Sequence, residues 1–178
     1  MNKLTKKVLL FLSMFGVAFL FLGMQSSNNH VEAAAYGRGA KFTLPKSYRG
    51  TWYSYDSGLS RKLKITTHTF DGQTVYKISS TKARNSAADY AQSHNDSKSR
   101  TIVKSVGNLI GVKYVKHSGK TYLYFTPWLA NIGTGYFRAT TKKIKGHERR
   151  VLTYTASFGG WNISGTYYTS KSLAKQMR

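Results

Sequence analysis

From residue 48 onward this chain is a succession of short β-favouring runs closed by turn residues, and few folds accommodate such a pattern. Lys62 to Thr69 sets Leu63, Ile65, Thr67 and Thr69 against Lys62, Lys64 and His68, the period of two that lets a strand bury one face. Asp71-Gly72 and then Val75 to Ile78 complete a hairpin, because the glycine supplies the positive φ that a tight turn requires. Further strands are expected at Gly50 to Tyr55, Thr101 to Val106, Leu109 to Lys116, Thr121 to Phe125, Tyr136 to Ile144, Arg150 to Ala156 and Trp161 to Thr169. Between them stand the turns Gly107-Asn108, His117-Ser118-Gly119-Lys120 and Lys145-Gly146-His147-Glu148, while Pro127 ends one run and Gly133 and Gly135 mark a loop. A meander of this kind exposes two sheet edges unless it closes on itself. The expected fold is all-β, a small antiparallel up-and-down barrel of about eight strands over residues 48–170, with a sandwich as the alternative.

Alternate residues of a barrel strand point inward. The inward candidates are Trp52 with Ser54, Leu63 with Ile65, Tyr76 with Ile78, Leu152 with Tyr154 and Trp161 with Ile163. Tyr122-Leu123-Tyr124-Phe125 is apolar or aromatic on both faces and does not declare its inner one. Residues 36–47, short, basic and bearing Pro45, read as a linker. Ser80 to Lys98 reads as a long loop with a helical turn around Ala87 to Gln92, long enough to suggest a lid or a partner-binding excursion. Residues 171–178 form a basic tail with one helical turn around Leu173.

The N-terminus decides which partners are relevant. Lys3, Lys6 and Lys7 precede an apolar run from Val8 to Leu22, and Val31-x-Ala33 and Ala33-x-Ala35 follow as small-x-small sites. Residues 1–35 therefore read as a secretory signal peptide cleaved after Ala33 or Ala35. Formal charge is +22, and this leader holds three lysines and one glutamate, so the exported chain carries +20. Five acids remain, Asp56, Asp71, Asp89, Asp96 and Glu148, too few to pair with the lysines and arginines. Most cations must then stand solvated and repel one another, which a polyanionic partner would relieve. Export turns attention from nucleic acid to anionic cell-wall polymers or an anionic lipid surface. Cysteine is absent, which excludes disulfide staples, thiol nucleophiles and thiolate metal sites.

Gly50-Thr51-Trp52-Tyr53, entered through Lys46-Ser47-Tyr48-Arg49, resembles the Gly-x-Trp opening of lipocalin-like and avidin-like barrels, the calycin group. It is similar to small secreted lipocalin-like proteins of lactic-acid bacteria. The resemblance implies that Gly50 lets the chain pass close beneath the barrel and that Trp52 plugs its floor. It also implies a basic residue stacked on that Trp after the last strand, a region holding Lys171, Lys175 and Arg178. The Thr-Asp-Tyr motif of lipocalins is missing, and Ser54 stands where a biotin-binding barrel would want Asn. A carrier of a small apolar ligand is what the family's fold implies.

Catalytic chemistry is not legible. The acids lie mostly at turns, which disfavours a carboxylate pair. His68, His94, His117 and His147 lack metal-ligand spacing. Ser79/Lys82 and Ser172/Lys175 imitate Ser-x-x-Lys, and Gly119-Lys120-Thr121 imitates the end of a phosphate loop, but companion elements are missing from both. No enzyme activity, cofactor or metal is expected. The densest basic patch is expected on one hairpin, from Lys142, Lys143, Lys145, Arg149 and Arg150. The leading expectation is a secreted, non-enzymatic protein held to wall polymers by that patch, and a membrane-active, bacteriocin-like protein is a further alternative.

Overall fold

A computed structural model describes residues 35–130, 134–156, 161 and 164–178. The chain divides into two units, Met1–Ala35 and Tyr36–Arg178, and the second holds the whole sheet. The signal-peptide expectation falls outside the described residues. Among the described residues ten strands form one sheet: β1 Arg38–Lys41, β2 Gly50–Tyr53, β3 Lys62–Ile65, β4 Thr69–Phe70, β5 Gln73–Ile78, β6 Leu109–His117, β7 Lys120–Pro127, β8 Gly135–Ile144, β9 His147–Thr155 and β10 Gly165–Tyr168. Their order is β1-β5-β4-β3-β2-β10-β9-β8-β7-β6, and a further β5–β6 pairing closes nine of them into a ring. The all-β expectation holds in this coarse form.

The ring departs from a simple meander at one place. Strands β5 and β6 pair in parallel, from Thr74 opposite Leu109 to Lys77 opposite Val112, whereas the other pairings are antiparallel. A parallel neighbour needs a long crossover rather than a tight turn. The crossover is a pair of helices, α1 (Thr81–Ser93) and α2 (Ser97–Val106). The expected loop over Ser80 to Lys98 is thus largely helical, and the expected strand Thr101 to Val106 is the end of α2. Caps decide this against β propensity. Ser80 accepts from the Ala83 N–H, while Asp96 and Ser99 exchange side-chain and backbone hydrogen bonds in a capping box. Ile102 and Val106, one turn apart, then bury together with Ala87 and Trp128.

These helices cover the outer face of β5, where Tyr76 and Ile78 pack, so that pair points outward and Val75 points in. The other testable pairs face the interior: Trp52, Ser54, Leu63, Ile65 and Leu152 are buried, and Tyr154 packs half-buried against the same cluster. Leu123 and Phe125 also line the core, leaving Tyr122 and Tyr124 outside. Trp161 lies on the exterior, its ring stacked 4.0 Å from His117 and 4.5 Å from Tyr136; Ile163 is outside the described residues.

Residues 36–47 enter the fold instead of linking to it. Strand β1 pairs with β5, the Phe42 N–H donates to Val75 O at 2.8 Å and the Leu44 N–H to Thr67 O at 2.9 Å, burying both side chains. The basic tail forms helix α3 (Lys171–Gln176), capped by Ser170 and packed through Ala174 near Ile144, Val151 and Tyr168. Asp71-Gly72, Ser118-Gly119 and Lys145-Gly146 each place two successive residues at positive φ, the turn whose twist matches a hairpin. His147 and Glu148, expected in the turn, therefore belong to β9.

Candidate functional site

Strands β7 and β8 pair over only three residues, Leu123 to Phe125 opposite Phe137 to Gly135. The hairpins they belong to run on separately, β6–β7 to His117 opposite Lys120 and β8–β9 to Ile144 opposite His147. A wedge opens between them, with Tyr48 at its apex. The Tyr48 hydroxyl donates to Phe137 O at 3.2 Å and also meets backbone groups of Ala139 and Leu123. Burial raises its pKa above the ordinary tyrosine value; the Ala139 backbone and the Arg138 charge work against that rise, and Tyr114 adds to it. Tyr114, 57% exposed, is edge-on to Phe42.

Beyond Tyr48 the wedge becomes a groove of about 430 Å³ lined by Lys46, Ser47, Ala139, Thr140, Thr141 and Arg150. Among the described residues two cations and three hydroxyls face it, and no carboxylate lines it. Arg150 is held in place: its guanidinium donates to Ser47 O at 2.8 Å and Arg49 O at 3.2 Å, and lies 5.3 Å over the Trp52 ring. Arg49 in turn donates to Leu44 O at 2.8 Å. These bonds tie the basic run Lys46 to Arg49 to the β9 strand.

The five basic residues expected together do share one hairpin, but they have different surroundings. Arg150 lines the groove. Lys142 stands directly opposite Arg149, a like-charge pair that an anion between them would relieve, and Lys143 stands opposite Glu148. Lys145 is turned to helix α3, donating to Gln176 Oε1 at 2.9 Å. Lys46, Ser47, Thr140 and Thr141 were not among the expected site residues. Their signal was the cation-and-hydroxyl run Lys46-Ser47 just before β2, legible in the chain yet attached there to the barrel floor.

Gly50 opens β2 and has open space where a side chain would stand, so no close approach of the chain requires a glycine there, and Trp52 follows two residues on. Trp52 is fully buried and donates through Nε1 to Tyr48 O at 2.7 Å, and Gly50 holds a φ of 140°, open to glycine. The cation over the Trp is Arg150 of β9, not Lys171, Lys175 or Arg178. Lys175 lies instead 6.0 Å from the Tyr55 ring.

At the other end of β9, Tyr154 lines a mouth of about 250 Å³ with Leu59, Asp71, Phe137 and Tyr167. The mouth is polar and acidic. Asp56 beside it accepts from the Thr166 N–H at 2.7 Å, and Tyr154 donates to Thr134 O at 2.9 Å. The Tyr167 hydroxyl is pushed up to about 12, mainly by burial, with Tyr154 and then the Asp71 and Asp56 charges adding to it. Phe70, Phe125 and Phe137 fill the interior below, with ring centroids 4.2 to 5.5 Å apart.

Among the described residues no group of three acids or histidines could hold a metal, and no helix is long and apolar enough to cross a membrane. Arg84 is the one charged side chain buried among them. It donates to Thr126 Oγ1 at 3.0 Å, Pro127 O at 2.9 Å and Ala130 O, clamping α1 to the end of β7. Burial lowers its pKa; carbonyls, the Thr126 hydroxyl and the Asn85 side chain, with no carboxylate among them, hold its Nη atoms, while its buried Nε has no partner. No family model, curated protein or solved structure matches the chain.

Proposed function

We propose that this protein is a non-enzymatic, exported binder of anionic wall polymers, which it holds in the Lys46/Arg150 groove and on the adjoining Lys142, Lys143 and Arg149. One observation carries the reading: the groove gathers cations and hydroxyl donors without a carboxylate, in a chain whose charge demands anionic company. In this reading the leader places the protein outside the cell, and the nine-strand ring serves as a lipocalin-like barrel with a filled interior and a functional exterior. A small apolar ligand fits less well, because the mouth at about 250 Å³ is smaller than the roughly 300 to 1,000 Å³ of ligand pockets and carries Asp71. Retention on purified cell wall tests the proposal. Wild type should be retained at low salt, and Lys46→Glu combined with Lys142→Glu should pass through. Equal retention of the two proteins would refute it.

A further inference from the structure

The same wedge presents a feature that an anionic polymer leaves unused. On β8 the backbone groups alternate in direction. Arg138 O faces β9, where the Thr153 hydroxyl donates to it at 3.2 Å, so even-numbered residues point to β9. Phe137 O and the Ala139 backbone meet Tyr48 on the opposite side, so odd-numbered residues point into the wedge. Among the described residues β7 covers that side only as far as Phe137, and Tyr48 stands in for the missing strand at Ala139. Thr141 and Lys143 follow with no strand beside them among the described residues. Each offers one N–H donor and one C=O acceptor toward the groove.

We infer that the β8 edge from Ala139 to Lys143 captures an extended, acidic polypeptide segment as an added strand. Alternating donors and acceptors are the first ground. A phosphate chain can use the donors but leaves the carbonyls dry, whereas a polypeptide supplies both at the strand repeat. Charge complementarity is the second: Lys46 and Arg150 line the groove, and Lys142 and Lys143 flank the edge, so acidic side chains on the incoming strand find cations. Tyr114, the most exposed large apolar side chain among the described residues, offers a surface for an apolar residue of the incoming strand. Strand addition also disposes of an open edge that would otherwise invite self-pairing. The inference goes beyond wall binding and does not depend on it.

Fluorescence anisotropy with the intact protein and a labelled peptide of alternating glutamate and valine is the test. Saturable binding is expected. The same peptide with its pairing amides N-methylated should bind about tenfold more weakly, the cost of two backbone hydrogen bonds. Thr141→Pro, which removes one edge N–H and spares the β9 ladder, should weaken the plain peptide severalfold and narrow the gap between it and its N-methylated form. Should Thr141→Pro also lower the melting temperature, the N-methylated peptide on wild-type protein decides alone. Equal affinity for plain and N-methylated peptides overturns the inference, as does sedimentation showing that two copies already pair through this edge and exclude the peptide. Polyphosphate binding without peptide binding sinks strand capture and leaves wall binding standing; peptide binding without wall retention does the reverse.

Discussion

Two buried tyrosines at different places on the ring sense opposite charge. Tyr48, at the wedge apex, is raised by burial and by Tyr114, against which the Ala139 backbone works first and the Arg138 cation second. Tyr167, at the mouth, is raised to about 12 mainly by burial, with Tyr154 and then the Asp71 and Asp56 charges adding to the rise. The two sites belong to one continuous sheet, but one gathers cations and the other holds two of the few acids. A net charge of +22 is therefore not spread evenly, and an anion finds more cations at the wedge than at the mouth.

Charge reversal breaks this comparison most strongly. Lys46→Glu with Lys142→Glu should lower affinity for anionic wall polymer by more than about tenfold at low salt, while Asp71→Lys at the mouth should leave it unchanged; equilibrium binding to purified polymer measures both. Trp52→Ala comes next, because it empties the floor beneath Arg150. It should destabilise the fold by about 3 to 5 kcal/mol in urea titration. Alkaline titration then separates the tyrosines. The folded pKa of Tyr167 lies above the unfolded value, so the stability it contributes is complete below about pH 10 and is lost as pH rises through about 12. Tyr167→Phe should flatten that loss in pH-dependent urea melts. The smallest effect is Tyr154→Phe at the mouth, which loses its bond to Thr134 O and should cost about 1 kcal/mol without touching polymer binding.

How much of this was legible in the chain differs between local and long-range features. Asp71-Gly72 and Lys145-Gly146 announced their hairpins, and Leu63, Ile65 and Leu152 announced their inner face, because turn geometry and a period of two are local. Thr101-Ile102-Val103 misled through β-branching; the decisive Asp96–Ser99 cap is also local, but its Ser in place of the usual Glu or Gln made it weak. Tyr76 and Ile78 pointed the wrong way because a strand covered by helices is apolar on both faces. The hairpin of cations was visible, whereas its groove was not. Lys46 and Arg150 meet through the three-dimensional path of Ser47, Arg49 and Trp52, and the short β7–β8 pairing that opens the wedge leaves no mark in either strand's composition.

The salt dependence of polymer binding tests the central claim most directly. Affinity of the intact protein for an isolated anionic wall polymer should fall linearly on a plot of log K against log salt, and Lys46→Glu with Lys142→Glu should make that slope shallower. A slope near zero, or one identical in the charge-reversed protein, would contradict the assignment of the basic wedge as the binding site.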